Sequence, residues 1–508
     1  MTEEETPMTT VLARDHAEGL ERAFETPRER SYRLESIVGE LPAFLRGTYY
    51  VNGPARFSRG SIAYRHWLDG DGMVAALAFD GDGAELTARF VRSTKWVEEE
   101  AAGRALFRTF GTAFEGDRLL RGFALASPVN VSVYPFAGRL LAFGEQGLPW
   151  ELDPRTLETR GEFNFGGRLN PVSPFSAHPA FDPATGEMLN FGVSFASRRP
   201  SLTLYRFDAA GELLLRRRQE LEAPCSMHDF GLSRRFAVFY VAPYLVDVGA
   251  LLEGGRPLTD CLSWEPERGS RLLILERQTG EVAAEVPIGE GYCLHFVGCF
   301  EEGDHLVVDV VELEEPVYPD YQPLAEIFRE VRPGGPRRRV VDVAAGRLIE
   351  ERPIPFDLAC DFPSMAPHAT GGPYDDFWML AISRTGRPGR KFLDRLVHVR
   401  WSQGAVTDIY QAPPGCFLGG EPIFVADRRE RGAEEAAGAV ICQQFDATRG
   451  RFSFLVFDAR EVAAGPVAQL PLREPLHLGF HACFLPASGP GETEVPLGVS
   501  NGRPPREG

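Results

Sequence analysis

The sequence lacks the segments by which a chain is usually secreted or inserted into a membrane. Its 508 positions contain no apolar run of roughly 18 residues or more, so no membrane-spanning helix is predicted. The acidic start MTEEETPMTT has neither the basic nor the apolar part of a secretory signal. The eight cysteines form no CxxC pair, which favours reduced thiols over a disulfide framework or a zinc site. We therefore expect a cytoplasmic protein.

Positive charge is also scarce. The chain has 54 Lys and Arg residues against 72 Asp and Glu residues, which gives a formal net charge of -18. It has no cluster of basic residues interleaved with aromatic ones, and the overall field repels phosphates. We therefore predict no nucleic-acid partner, and no obligate protein partner is evident either.

Helix signals are few, whereas short apolar runs separated by Gly, Pro, Asp and Asn are frequent. With 44% hydrophobic and 25% charged residues, the composition is that of an ordinary globular protein. Such runs, bounded by turn residues, predict β-strands. The clearest predicted strands are 236–242, 271–276, 305–313, 377–383 and 451–459.

One hairpin phrase, typified by D-x-x-T-G-E, recurs in degenerate form along the chain. It is found at 152–159, 181–189, 207–215, 275–283 and 341–349. A repeated hairpin unit must stack its apolar faces on its neighbours, which favours a β-propeller, although a β-sandwich would use the same turn chemistry. We predict a polar lead over 1–30, a single domain over 31–500, and cap segments at 98–128 and 313–338.

Four of the ten histidines share an apolar or aromatic setting. They are His178 in SAHPAF, His228 in MHDFGL, His295 in CLHFVG and His481 in GFHACF. On the inner strands of four different blades, their side chains would converge on the propeller axis and bind one metal ion. Imidazole suits Fe, Cu, Ni and Zn, so the ligands alone leave the metal open. A zinc hydrolase is disfavoured, because this set includes no carboxylate to act as a base.

Buried acids should accompany such histidines, because a metal-bound imidazole usually donates its second ring N–H to an acceptor. Candidates in strand-like contexts are Glu145 in AFGEQGLPW, Asp361 in LACDFPSM and Glu421 in LGGEPIF. The residues alone do not distinguish these three from the other acids of the chain.

Several phrases of the sequence resemble those of the carotenoid cleavage oxygenases, the family that includes the retinal pigment epithelium isomerase and the lignostilbene dioxygenases. The resemblance covers nearly the whole chain. Its most specific phrases are LPAFLRGTYYVNGPARF (41–57), HWLDGDGMVAAL (66–77), SMHDFGLSRRFAVFY (226–240) and GFHACFLP (479–486).

This resemblance implies a seven-bladed β-propeller with a helical and loop cap over an axial Fe(2+). The implied metal ligands are His178, His228, His295 and His481, and the implied acids around them are Glu145, Asp361 and Glu421. The implied activity is that of an oxidoreductase, a dioxygenase that uses O2 to cleave a conjugated C=C bond of a carotenoid or apocarotenoid into two carbonyl products. The substrate would be an apolar polyene, and no organic cofactor is needed.

Two positions near these residues bear on the metal site and on the substrate. Asp361 stands where the family has glutamate, so its shorter side chain is expected to reach a histidine through water or through a backbone shift. Gly144 stands where stilbene-cleaving members carry a lysine, which disfavours a phenolic stilbene as substrate. The stretch PYLVDVGALL (243–252) resembles the apolar tunnel mouth of the family and predicts peripheral membrane contact.

Three other functions stay open at this point. One is an O2-independent, retinoid-type isomerase, which anaerobic turnover would distinguish from a dioxygenase. The others are a stilbene-cleaving dioxygenase and a propeller that binds apocarotenoids without catalysis.

Overall fold

The computed structural model describes residues 17–122, 124–195, 199–427, 429 and 435–487. Seven antiparallel sheets of four or five strands follow one another along this part of the chain. One edge strand of each sheet, called its inner strand, lies nearest a common axis. This arrangement makes the molecule a seven-bladed β-propeller. The predicted fold class is confirmed.

The blades are numbered here from the first complete one along the chain, with the strand nearest the axis given first. Blade 1 comprises Ser132–Phe136, Arg139–Phe143, Trp150–Leu152 and Thr159–Glu162; blade 2 Ala180–Phe181, Met188–Ser194, Ser201–Phe207 and Leu213–Glu220; blade 3 Gly231–Leu232, Phe236–Val241, Ser270–Glu276 and Val282–Gly289; blade 4 Tyr292–Glu302, His305–Leu313, Gly334–Asp342 and Arg347–Pro353. Blade 5 comprises Ala359–Met365, Asp376–Ile382, Arg395–Arg400 and Ala405–Gln411; blade 6 Cys416–Ala426, Gly438–Asp446, Arg451–Asp458, Ala468–Pro471 and Val38–Gly39; blade 7 Ala482–Pro486, Gly47–Arg56, Asp71–Phe79, Ala84–Phe90 and Arg30–Arg33. Two small hairpins pair Ser58–Arg59 with Ile62–Ala63 and Tyr244–Val246 with Leu262–Trp264.

Strands from both ends of the described chain close the ring. The inner strand of blade 7, Ala482–Pro486, pairs antiparallel with Gly47–Arg56, in a register that places Val51 opposite Ala482. The outermost strand of blade 6, Val38–Gly39, pairs with Ala468–Pro471. Two blades therefore combine N-terminal and C-terminal strands, so the ring is closed by hydrogen bonds at two places.

The five predicted strands are confirmed to within one residue at each end. Phe236–Val241 is buried along its whole length because a blade packs on both of its faces, unlike the half-exposed sheet that produces alternating patterns. Phe239 of this strand packs on Phe191 of blade 2, with ring centroids 5.2 Å apart. The cores of the propeller lie in such contacts between blades.

In four of its five occurrences, the recurring hairpin phrase contains an aspartate that stabilises the turn. Four of the five occurrences join the third and fourth strands of a blade, and the one at 181–189 joins the first and second strands of blade 2. Asp153 Oδ1 accepts the backbone N–H groups of Arg155 and Thr156, and Asp208 Oδ1 accepts those of Ala210 and Glu212. The carboxylate satisfies donors that the tight turn leaves unpaired.

Loops and short helices cover one end of the axis, in agreement with the predicted cap. The α-helices of the described chain are α1 (Thr94–Ala102) and α2 (Val248–Leu252). The 3-10 helices are Leu20–Phe24, Trp67–Asp69, Leu258–Cys261, Pro266–Arg268, Tyr318–Tyr321, Leu324–Glu326, Pro367–Ala369, Trp401–Gln403 and Val462–Ala464. None of the helices in the described residues is long and apolar enough to cross a membrane.

The end of the predicted polar lead packs on the propeller. Ala17, Leu20 and Ala23 are buried, and Arg390 donates a hydrogen bond to the carbonyl of Ala17 over 2.7 Å. The predicted domain boundary at residue 30 therefore falls within a stretch that contacts the blades, and the boundary itself stays a prediction.

Candidate metal centre

The four singled-out histidines lie on or beside the inner strands of four blades. His178 precedes the inner strand of blade 2, His228 precedes that of blade 3, and His295 lies within that of blade 4. His481 immediately precedes the inner strand of blade 7. All four are between 4% and 7% exposed, so the propeller buries them at its axis.

Their side chains converge on one point. One ligand nitrogen from each ring lies within 4.8 Å of the corresponding nitrogens of the other three. The Nε2 atoms of His178 and His228 are 2.8 Å apart, and those of His228 and His295 are 3.2 Å apart. Among the described residues, this is the one group of three or more potential metal ligands that comes together.

The opposite ring nitrogens of three of these histidines face carboxylates. His228 Nδ1 is 2.8 Å from Glu145 Oε1, and His481 Nδ1 is 3.3 Å from Glu421 Oε2. In each case the hydrogen-bond network assigns the proton to Nδ1, which leaves a lone pair on Nε2.

His295 Nδ1 is 2.5 Å from Asp361 Oδ1, so the shorter side chain reaches the histidine directly. A register shift between Asp361 and Ser364 and the positive φ of 55° at Phe362 bring the carboxylate to the axis. The contact is therefore direct and does not pass through water, and it coincides with a bulge in the inner strand of blade 5.

Similar irregularities occur in the inner strands of blades 4 and 6. The register of blade 4 shifts between Cys293 and Phe296, around His295, and that of blade 6 shifts between Gly419 and Ile423, around Glu421. A bulge turns a side chain out of the regular alternation of a strand, and bulges are frequent beside functional sites. The regular backbone pairing of these inner strands is therefore interrupted where they present side chains to the axis.

Backbone hydrogen bonds fix the segment that carries His481. Its N–H donates to Val131 O in the segment that leads into blade 1, and its carbonyl accepts from Asn52 of blade 7, both over 3.1 Å. The preceding residue, Phe480, accepts the N–H of Glu421 over 2.7 Å. This histidine is therefore positioned by three neighbouring parts of the ring.

Two polar groups at the site were missed by sequence reasoning. Asp229 lies 3.7 Å from His178 Nδ1 and accepts the backbone N–H groups of Phe230 and Phe296, which join blades 3 and 4. The Tyr318 hydroxyl, from the cap, lies 3.2 Å from His228 Nδ1. Asp229 is adjacent to His228 in the sequence, which is a signal that could have identified it, whereas nothing local marks Tyr318.

The electrostatics of the site favour the neutral imidazole at His178 and His481 and act in the opposite direction at His228. Burial lowers the pKa of His178 well below its ordinary value, and the other three imidazoles lower it further. Burial also lowers the pKa of His481, although Glu421 opposes this effect. Burial acts in the same direction on His228, but Glu145 outweighs it and the pKa is raised. Burial raises the pKa of Asp361, but His295 outweighs burial, and the resulting pKa lies below the ordinary value.

This donor set fits a divalent transition metal. Imidazole lone pairs that face one another across about 3 Å repel unless a cation lies between them, and imidazole is a common ligand for such metals. The carboxylates that orient the rings are the usual partners of metal-bound histidines. The observed geometry is therefore that of a metal site.

A cavity lined largely by apolar side chains lies next to the site. Its wall includes Phe110, Met227 and Leu251, together with Glu145 and Ser176. Met227 precedes His228, and Ser176 lies two residues before His178. The cavity therefore meets the site at Glu145, whose carboxylate contacts His228 Nδ1.

A β-propeller whose axis brings together four buried histidines beside buried acids is the arrangement of a metalloenzyme. The sequence profile described as retinal pigment epithelial membrane protein matches residues 23–486. The apocarotenoid-15,15'-oxygenase of Synechocystis is 31% identical over 469 residues, which cover 90% of this chain and 94% of that protein. A chloroplastic 9-cis-epoxycarotenoid dioxygenase of Oryza sativa is 30% identical, with coverage of 88% and 72%.

Solved structures agree with these relationships. The crystal structure of the cobalt-substituted Synechocystis apocarotenoid oxygenase superposes with a TM-score of 0.83 at 29% identity, covering 92% of this chain and 98% of that one. The chain belongs to the retinal pigment epithelial membrane protein family, the family of carotenoid cleavage oxygenases. The resemblance noted in the sequence is confirmed.

Proposed function

We propose that the protein is an iron(II)-dependent dioxygenase that cleaves a conjugated C=C bond of a carotenoid or apocarotenoid. The observation that carries this proposal is the convergence of four buried imidazoles, one of which contacts Glu145 in the wall of a largely apolar cavity. The named relatives, an apocarotenoid oxygenase and a 9-cis-epoxycarotenoid dioxygenase, support the same class of reaction.

The residues of the chain have separable roles in this proposal. His178, His228, His295 and His481 would hold the iron, and Glu145, Asp361 and Glu421 would keep three of the rings in the tautomer that presents Nε2. Bound iron would supply the chemistry that activates O2 beside the alkene. Neutral imidazoles leave the charge of the ion uncompensated, and the cap excludes bulk water from the reacting atoms.

The cavity supports a polyene better than a phenolic stilbene. A Cβ atom at Gly144 would lie 2.0 Å from Ser127 Oγ and 3.1 Å from the backbone of Val129. A lysine at this position, as in stilbene-cleaving members of the family, would require Ser127 to move. The apolar wall at Phe110 and Leu251 instead suits a hydrocarbon chain.

The experiment that tests this proposal combines metal analysis with turnover. Purified protein, loaded anaerobically with Fe(II), is incubated with carotenoids, apocarotenals and stilbenes, while oxygen uptake and product masses are recorded. We expect one iron per chain, O2 consumption and two carbonyl products from an apocarotenoid.

Each contrary result supports a different function. Turnover that survives strict removal of O2 would support the isomerase, and cleavage of stilbenes alone would overturn the polyene assignment. Binding of apocarotenoids without any product would support the non-catalytic propeller. His305→Gln, at an exposed strand start remote from the axis, is the matched control for the histidine variants.

We also propose that the cavity mouth contacts a membrane surface. Helix α2 has the sequence VGALL, and none of its residues is buried. Exposed apolar side chains at Val172 and Leu252 lie on the wall of the same cavity. Apolar residues at the entrance would allow a membrane-dissolved substrate to enter without crossing water. Co-sedimentation with phosphatidylcholine vesicles tests this contact, and a protein that stays in the supernatant would contradict it.

We propose further that residues 31–500 act as one domain in the cytoplasm. The double closure of the ring through blades 6 and 7 supports a single unit. The eight cysteines are all free, as expected in a reducing compartment. Limited proteolysis should leave one core fragment, whereas two stable fragments would contradict the single domain.

A further inference from the structure

The segment HWLDGDGM at 66–73 is buried, yet it supplies no ligand to the candidate metal centre. The Nδ1 atom of His66 accepts the N–H of Leu68 over 3.0 Å. Its Nε2 atom lies 3.0 Å from the carbonyl oxygen of Tyr318. Because Nδ1 is an acceptor, the proton lies on Nε2, and His66 donates to the Tyr318 carbonyl.

Asp69, one helical turn later, binds the other cap segment. Its Oδ1 accepts the N–H of Gly111 over 2.8 Å, and its Oδ2 accepts the Thr112 hydroxyl over 2.7 Å. The same carboxylate accepts the N–H of His66 over 3.1 Å. The segment therefore joins the cap at 109–112 to the cap at 318–321.

Tyr318 is the point where this assembly contacts the metal centre. Its hydroxyl oxygen lies 3.2 Å from His228 Nδ1, as a second acceptor of the N–H that donates to Glu145. The ring is 1% exposed and packs edge-on against Phe110, with centroids 5.0 Å apart. Among the described residues, Tyr318 is the one side chain outside the predicted acids that makes a hydrogen-bond contact with His228 Nδ1.

We infer that His66 is a positioning residue of the metal centre. It holds the Tyr318 carbonyl, which places the Tyr318 hydroxyl on His228 and so restrains the orientation of that imidazole. This inference rests on the proposed metal centre and deepens it, because it assigns a role to a part of the chain that contacts neither metal nor substrate.

If His66 had a purely structural role, we would expect different hydrogen-bond partners for its ring nitrogens. A histidine that only fills space needs no particular tautomer, whereas both ring nitrogens of His66 have specific backbone partners. Burial lowers the pKa of His66 to about 4, so the donating neutral form persists at neutral pH. The contact with Tyr318 joins residues 252 positions apart, between blade 7 and the cap.

The test is a double-mutant cycle read out by cobalt binding. His66→Phe keeps a ring in the aromatic cluster but cannot donate, Tyr318→Phe removes only the hydroxyl, and His66→Gln retains an N–H donor. For each variant, the apparent Kd for Co(II) is measured by chelator competition, and the visible Co(II) spectrum is recorded.

We expect Tyr318→Phe and His66→Phe each to weaken Co(II) binding about 10-fold and to change the spectrum in the same way. If His66 acts through Tyr318, the double variant also loses about 10-fold, because the effects are not additive. His66→Gln should lie within about twofold of wild type. His305→Phe serves as the control and should bind Co(II) like wild type.

Additive losses of about 100-fold in the double variant would overturn the inference, because independent effects multiply. An unchanged affinity and spectrum in Tyr318→Phe would also overturn it, and this near-isosteric variant gives an answer even if His66→Phe does not fold. Failure of the wild-type protein to bind Co(II) would instead refute the metal centre itself, so the two failures are distinguishable.

Discussion

The three acids around the candidate metal centre should contribute unequally, in the order of their distances to the histidines. Asp361 lies 2.5 Å from His295, Glu145 lies 2.8 Å from His228, and Glu421 lies 3.3 Å from His481. The last distance exceeds the usual range of about 2.7–3.2 Å for such bonds. Conversion of each carboxylate to its amide removes the charge and keeps the shape.

The size of the effect follows from this geometry. Loss of an acid that orients a metal-bound histidine typically costs about 10-fold to 100-fold in metal affinity, or about 1.4–2.7 kcal/mol. We expect Asp361→Asn to lie near the upper end and Glu421→Gln near the lower end. Glu145→Gln should lie between them, because its side chain is 24% exposed and partly screened by solvent.

Asp361→Glu gives a sharper result, because it restores the residue typical of the family. Asp361 Oδ1 already contacts His295 and accepts the N–H of Phe362 over 2.8 Å. A longer side chain on this backbone would crowd the site, at a cost of about 1–3 kcal/mol. We therefore expect the glutamate to weaken metal binding.

The assay is a chelator-competition titration with Co(II) or Fe(II), with metal content as a second readout. Glu302→Gln is the matched control, since Glu302 is exposed at the far end of the strand that carries His295. Equal losses in the three amide variants, or tighter binding by Asp361→Glu, would refute the reasoning from distance and backbone shape.

Further predictions concern stability and surface contact. Gly144→Ala should destabilise the fold by about 1–3 kcal/mol in urea unfolding, because its Cβ would lie 2.0 Å from Ser127 Oγ, and Ser127→Ala should restore most of the loss; no rescue would contradict this contact. Burial lowers the pKa of His477 to about 3 from 6.5, so the unfolded state binds more protons between these values. Stability should therefore fall by up to about 1.4 kcal/mol per pH unit as the pH drops through this window. His477→Gln should flatten this slope, and an unchanged slope would show that another group causes it. Leu252→Asp, on α2, should reduce vesicle binding, whereas Val282→Asp, on the outer edge of blade 3, should not.

The strands and the four histidines could be predicted because their signals are local. Phe236–Val241 is a continuous apolar run, and each of the four histidines lies in an apolar phrase. The acids could not be selected in this way, because Asp361 looks like many other acids until the bulge beside it is known. Their selection depended on family resemblance.

His66 and Tyr318 could not be predicted for a different reason. Their contact joins positions 252 residues apart, and it depends on how the cap lies over blade 7. No apolar phrase marks His66, because its neighbours in the sequence are mixed in character. A pattern in sequence reports the environment of a strand, but it does not report which loop folds back over that strand.

The closure of the ring has a consequence for how the protein acquires its metal. His481 immediately precedes Ala482–Pro486, the last strand of the described chain, which completes blade 7 against Gly47–Arg56. During synthesis, the first three histidines emerge long before this strand, so a ribosome-bound chain would offer an incomplete set of donors. Loading should therefore wait until this strand has emerged and paired, and a chain truncated before residue 476 should be unable to retain the ion.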